Sequence, residues 1–313
     1  VEGLFRSDLS IDLGRGLVLK APVMLASGTC GYGVELDGIV DFRKIGAIIS
    51  KGVTLTPRIG TVPPRVAETP AGILNAIGLQ NPGLQVVIER YAPYWRRIGT
   101  VVLVNINGST VEEYATLASV LDGIDIVKGI EVNISCPNVE EGGRDFGISP
   151  SSAHRVVEAV RKSTKKHVMV KLAPNVSDIA EIAKAVEDAG ADSISAINTF
   201  LGLAIDPQSL KPKLGNVTGG VSGPAIRPMA VYLAWQAAKA VKIPVVGIGG
   251  ISCLSDALEY FCVGCKAVQV GTATFVDPKT AEKVSTDLDE FISRKNLSSF
   301  DAFLRSTLYI KRE

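Results

Sequence analysis

The chain has 313 residues, 46% hydrophobic and 21% charged, with 33 basic against 32 acidic side chains. A net charge of +1 without any long run of like charge excludes the electrostatic footprint of a nucleic-acid or anionic-membrane binder and leaves a small molecule as the expected partner. No apolar stretch reaches the roughly 20 residues that span a bilayer, and no basic region followed by an apolar core opens the chain, so neither an anchor nor a secretory signal is expected and the cytosol is the expected location. The first residue is Val1, which suits a removed initiator methionine or short leader.

In chain order, residues 9–19 carry two short strand-like runs around Gly14 and Gly16 and predict a hairpin at one end of the fold. Apolar, β-branched runs then recur at 23–27, 47–52, 101–106, 129–135, 168–172, 193–198, 245–248 and 267–271. Amphipathic helical patterns lie between them at 111–121, 152–162, 178–189, 229–241 and 255–261, with Thr110, Ser151 and Ser177 as expected N-caps. Near-continuous apolar strands alternating with helices predict a parallel sheet covered on both sides. Eight such units in one unbroken rhythm, with no linker, predict a single α/β domain over 1–313: a (β/α)₈ TIM barrel whose N-terminal β-hairpin closes the floor. Residues 54–71, rich in Pro and Arg, form a long excursion after the second strand and read as a rim or lid element.

Active sites of such barrels lie at the carboxyl ends of the strands. There the sequence places Ser27, Lys51, Asn105, Asn133 with Cys136, Lys171, Asn198 with Thr199, Gly249 with Gly250, and Gly271 with Thr272. Two lysines and three asparagines at equivalent ends are hard to satisfy in a closed barrel unless a polar ligand meets them. Cys136 is followed by Pro137, which stops a sheet ladder, so its thiol should sit at a strand tip. A lone cysteine there is also compatible with simple core packing, but Asn133, Ser135 and Asn138 around it favour a reactive role. Gly247-Ile-Gly-Gly250 and Gly271-Thr272 offer bare backbone N–H groups after strands seven and eight, suited to a phosphate or, for the first alone, to a tight strand-to-helix turn. Cys30, Cys136, Cys253, Cys262 and Cys265 are odd in number and scattered, which argues against a disulfide scaffold. Cys262 and Cys265 lack a second pair and are expected in the core rather than on a metal, and no metal site is expected elsewhere. His154 and His167 have no visible triad partner and read as structural.

Asn75-Ala-Ile-Gly-Leu-Gln-Asn-Pro-Gly83, Asn133-Ile-Ser-Cys-Pro-Asn138, Lys171-Leu-Ala-Pro-Asn175, Ile197-Asn-Thr199 and Gly247-Ile-Gly-Gly250 resemble, in this order and over nearly the whole chain, the segments of the dihydroorotate dehydrogenases. The resemblance implies an FMN-binding (β/α)₈ barrel that oxidises dihydroorotate to orotate in pyrimidine biosynthesis. A cysteine where membrane-bound members carry serine points to class 1. Arg65-Val-Ala-Glu-Thr69 with Gly72-Ile-Leu-Asn-Ala-Ile-Gly78 resembles class 1B, whose catalytic chain forms a homodimer core within a heterotetramer and hands electrons to NAD⁺ through a partner subunit carrying FAD and a 2Fe–2S cluster.

Carried over by residue, the resemblance makes Cys136 the base that removes the C5 proton of dihydroorotate while hydride leaves C6. Substrate contacts fall to Lys51, Asn75, Ala76, Ile77, Gly78, Leu79, Asn133, Asn138, Asn198 and Thr199. Flavin contacts fall to Ser27, Lys51, Gly52, Asn105, Asn133, Lys171, Ile197 and Gly223, with Gly249, Gly250, Gly271 and Thr272 around the phosphate. Residues 139–149, with Gly142, Gly143 and Gly147, follow Cys136 directly and would serve as a closing lid. Other readings are a class 1A enzyme that passes electrons to fumarate, the flavin domain of a dihydropyrimidine dehydrogenase, a flavin-free phosphate-binding barrel with Cys136 as nucleophile, and a non-catalytic scaffold. The second normally lies inside a far longer chain with iron–sulfur motifs that this sequence lacks.

Overall fold

The structure, a computed structural model, describes residues 5–135, 137–138 and 144–307, with backbone alone at 137–138 and 144–145. Eight strands close into a barrel: β1 (Val23–Leu25), β2 (Ala47–Ile49), β3 (Val101–Ile106), β4 (Val127–Asn133), β5 (His167–Leu172), β6 (Ser193–Ala196), β7 (Val245–Ile248) and β8 (Ala267–Val270). Each pairs in parallel with its sequence neighbours, and β8 returns to β1. The strands are buried on both faces, which is why they read as unbroken Val/Ile/Leu runs rather than as alternating ones. The predicted strands overran the observed ends at Ser27, Gly52, Asn198 and Gly271, because the ladder stops where the chain turns toward the barrel mouth.

Helices Val111–Asp122, Pro150–Ser163, Ile179–Asp188, Arg227–Ala240 and Leu254–Cys262 occupy the predicted positions. Thr110 caps the first, accepting a hydrogen bond from the Glu113 N–H. The other two predicted caps are each displaced. Pro150 takes the first position of its helix, where a missing N–H costs nothing, so the cap is Ser149 and not Ser151. Asp178 rather than Ser177 caps the next helix, its carboxylate accepting from the Ala180 N–H at 2.8 Å.

The N-terminal hairpin pairs Ile11–Asp12 with Val18–Leu19 and lies at the amino ends of β5 and β6. Its turn is tied there by His167, whose ring nitrogens meet Gly14 O at 3.1 Å and Ser193 Oγ at 2.8 Å. Asp192 reinforces the junction by accepting from Arg15, Arg161 and the Val168 N–H. His167 is therefore structural, and burial pushes its pKa down. His154 sits in helix Pro150–Ser163. Cys30 and Cys265 are packed in the hydrophobic core, and Cys262 ends helix Leu254–Cys262 half-buried.

The excursion after β2 holds more than a loop. Val66–Thr69 and Gly72–Asn75 pair as a hairpin, and Thr218–Ser222 and Phe200–Leu203 extend it into a four-stranded antiparallel sheet beside the barrel mouth. Gly72 is obligatory at this joint, since a Cβ there would stand 2.0 Å from Ser222 O. Among the described residues, no helix is long and apolar enough to cross a membrane.

The floor hairpin makes a direct test. Leu13 is fully buried and Val18, on the same hairpin, is 56% exposed. Leu13→Ala should cost about 2–5 kcal/mol in urea unfolding, whereas Val18→Ala should stay within about 0.5 kcal/mol.

Candidate active site

A cavity of about 1170 Å³ opens at the carboxyl ends of the barrel strands. Around it the structure brings together Ser27, Lys51, Gly52, Asn105, Asn133, Lys171, Ile197, Asn198, Thr199, Gly223, Gly249, Gly250, Gly271 and Thr272. The segment Asn75, Ala76, Ile77, Gly78 and Leu79 completes the wall from the antiparallel sheet. Cys136 lies outside the described residues, as do residues 139–143 of the expected lid and the side chain of Asn138. Ser135, immediately before Cys136, lines the cavity. Gly147, the far end of the expected lid, is buried and anchored by its N–H to Ile134 O at 2.8 Å.

The base of the site is a feature the sequence reading passed over. Glu131 lies on β4 between Ile130 and Val132 and is fully buried. Its Oε1 accepts from Ser195 Oγ at 2.9 Å and Gln269 Nε2 at 3.0 Å, and its Oε2 from Asn105 Nδ2 at 2.7 Å. Lys171 Nζ stands 3.9 Å from Oε2. Above the carboxylate, amides connect in a row. Asn107 Nδ2 donates to Asn105 Oδ1 and Asn133 Nδ2 donates to Asn107 Oδ1, each at 2.8 Å. Asn133 Oδ1 accepts from the Ser135 N–H at 3.1 Å, and Asn198 Nδ2 reaches Ser135 Oγ at 3.2 Å. The sequence signal for Glu131 was a carboxylate amid apolar neighbours in a core strand, a residue almost never buried unless paired.

The wall segment owes its shape to Asn81, whose Oδ1 accepts from the Thr54 and Gly83 N–H groups and whose Nδ2 donates to Thr54 Oγ1 and Leu79 O. This amide holds Gly78 and Leu79 in left-handed conformations, φ 67° and 55°. The second asparagine of the Asn-x-x-Gly-Leu-x-Asn motif is thus a clamp, while Asn75 lines the cavity.

The opposite wall could hold an anion. Gly249 and Gly250 adopt φ 130° and 68°, and Tyr260 Oη fixes Gly249 O at 2.6 Å. Beside them Ser252 is held by Asp256, which accepts from the Ser252 N–H, the Ser252 hydroxyl and the Cys253 N–H. Burial pulls the Asp256 pKa up, but these bonds and Arg227, 2.6 Å away, bring it below the usual carboxylate range. Thr272 Oγ1 bonds Ser222 Oγ at 2.7 Å, closing the barrel to the antiparallel sheet. Glycines keep this region open. Among the described residues, a Cβ on Gly28 would meet nothing within 4 Å, and one on Gly271 only Ala26 Cβ at 3.6 Å.

Lys171 and Lys51 line this space, with Lys283 at its edge paired to Asp277. Lys171 is buried, and Lys51 is largely enclosed, with burial pushing its pKa down. Cys30 is no competing nucleophile. Burial pushes its thiol up to about 12, and it donates to Ile49 O at 3.1 Å. The arrangement suits a planar, amide-edged ring near Asn133 and Asn198 and a phosphate-bearing ligand reaching from Lys171 to the glycine loops.

A family model described as dihydroorotate dehydrogenase matches residues 14–292. Among similar proteins, one from Geobacter metallireducens is 53% identical over 293 residues, covering 94% of this chain and 96% of the relative. One from Geobacter sp. is 50% identical over 299 residues, covering 96% and 98%. One from Geobacter sulfurreducens is 50% identical over 293 residues, covering 94% and 96%. All three carry the name dihydroorotate dehydrogenase B (NAD(+)), catalytic subunit.

Proposed function

The chain belongs to the dihydroorotate dehydrogenase family, and from that membership we propose that it oxidises dihydroorotate to orotate as the FMN-binding catalytic subunit of an NAD⁺-linked enzyme. The observation that carries the reading is the convergence of the strand-end lysines, asparagines and glycines on one cavity. The fit to FMN rests on the open space at Gly28 and Gly271, the positive-φ pair Gly249 and Gly250, and the buried cation Lys171 in the same cavity.

Bound FMN supplies the acceptor for the hydride that leaves C6 of dihydroorotate. Cys136 takes the proton from C5; a thiol with an ordinary pKa of about 8.5 needs only a modest shift to serve near neutral pH. Asn75, Asn133, Asn138, Asn198 and Thr199 would hold the ring by its amide edges and carboxylate, with Lys51 between substrate and bound flavin. Lys171 would set its positive charge beside the bound flavin, where it would favour reduction. Gly249, Gly250, Gly271 and Thr272 surround the phosphate, and Ser27, Gly52, Asn105, Ile197 and Gly223 line the ring. A closing lid would be confined to the part of 139–149 before Phe146 and Gly147, which are anchored in the core, and would keep the thiol from solvent. The whole chain, 1–313, acts as one domain in the cytosol, a homodimer of it forming the core of a heterotetramer.

The role of Cys136 is tested by substitution. Cys136→Ala should keep FMN but lose dihydroorotate oxidation by about 10²–10⁴-fold. Cys136→Ser should retain partial activity with its pH optimum moved upward, since a hydroxyl is a poorer acid than a thiol. Near wild-type turnover in the Ala variant would remove the base from this account. The partner is tested separately. The purified chain should reduce dyes or ferricyanide with dihydroorotate yet give negligible NAD⁺ reduction until an FAD and 2Fe–2S subunit is added. Efficient NAD⁺ reduction by the chain alone, or a strong preference for fumarate, would contradict it.

A further inference from the structure

Glu131 takes no part in the chemistry assigned above, yet it is a fully buried carboxylate in the middle of the barrel. Burying a charge without partners is costly, so its surroundings must be arranged for it. An ionised carboxylate only accepts hydrogen bonds, whereas each asparagine presents a donor at one end and an acceptor at the other. The carboxylate therefore dictates direction. Asn105 must turn its NH₂ to Glu131 and its oxygen outward; Asn107 must then turn its NH₂ to Asn105, and Asn133 its NH₂ to Asn107. At the far end the Ser135 N–H demands an oxygen, and Asn133 Oδ1 supplies it. A row of amides, each reversible alone, is locked at both ends. The same carboxylate stands 3.9 Å from Lys171 Nζ, the cation on the flavin side of the cavity.

We propose that Glu131 is a positioning residue: it sets the donor–acceptor direction of the Asn105–Asn107–Asn133 row that meets the amide edge of the pyrimidine ring, and it tempers the charge of Lys171. The inference rests on the dihydroorotate reading for the identity of the ring. A row released at the Glu131 end would no longer hold Asn133 in one fixed orientation toward the ring. A Lys171 without its counter-charge would act more strongly on the flavin.

Two substitutions separate these effects. In Glu131→Gln the oxygen can stay on Asn105 while the new NH₂ faces Ser195 and Gln269, whose Oε1 has no hydrogen-bond partner among the described residues and can turn to receive it. The row keeps its direction and only the charge is lost. In Glu131→Leu the charge is lost and the row is released at its inner end, where Asn105 Nδ2 loses its acceptor, while the Ser135 N–H still holds the outer end. With the FMN-loaded chain, Glu131→Gln should raise the flavin reduction potential and leave orotate affinity, read from the flavin absorbance, within about threefold of wild type. Glu131→Leu should weaken orotate by about tenfold or more while FMN content stays high, because the phosphate loops lie on other strands. An unchanged potential in Glu131→Gln, or equal loss of orotate affinity in both variants, overturns the proposal. If Glu131→Leu does not fold, Glu131→Met, closer to Glu in length and equally without an acceptor oxygen, takes its place in the affinity measurement, and Glu131→Gln still decides the charge effect by its potential. A wild-type chain that neither binds orotate nor oxidises dihydroorotate would refute the functional reading instead, and the potential shift would still test the coupling of Glu131 to Lys171.

Discussion

A carboxylate sealed inside a barrel has to be met by donors, and the strands around Glu131 supply them. Asn105 comes from β3, Lys171 from β5, Ser195 from β6 and Gln269 from β8, all converging on one residue of β4. Strand register makes this feasible: Asn105 lies opposite Glu131, and Lys171 lies opposite both Asn133 and Ser195. A one-residue slip of any of these strands would turn its polar group to the outer face and leave the carboxylate short of a partner. The polar positions in otherwise apolar strands are thus explained together, as the surroundings of one buried charge and the foundation of the cavity above it.

The upper part of the site follows a related logic with opposite sign. Around the proposed phosphate position the chain uses glycines, and it holds the loops from behind. Asp256 gathers the Ser252 and Cys253 donors, and Arg227 offsets its charge. Tyr260 fixes Gly249 from the helix that follows β7. The antiparallel sheet contributes the third side, with Asn75 lining the cavity and Asn81 keeping the strained turn in place. A carboxylate thus organises the amides at the base, while amides and glycines organise the rim.

Much of this was legible in the sequence, for physical reasons. Parallel strands buried on both faces are long apolar runs, so all eight barrel strands stood out, and the convention that barrel chemistry sits at strand carboxyl ends then selected Lys51, Asn105, Lys171 and Asn198. The antiparallel sheet was not legible: Phe200–Leu203 and Thr218–Ser222 are short and carry Gly202, Gly219 and Gly220, which weaken a strand pattern and reflect close backbone packing. Ser151 and Ser177 failed as caps because Pro150 and Asp178 are stronger local determinants. Glu131 escaped notice because it lies within a strand rather than at its end. Its meaning depends on four other strands that no local pattern connects to it.

The central claim is that this cavity joins dihydroorotate to a flavin. Its most direct test is an anaerobic titration of the FMN-loaded chain with dihydroorotate, following the flavin's blue absorbance. The account expects bleaching that is complete near one equivalent per site and leaves orotate as the product. A flavin that stays oxidised in excess dihydroorotate, with FMN retained and the fold intact, would contradict it.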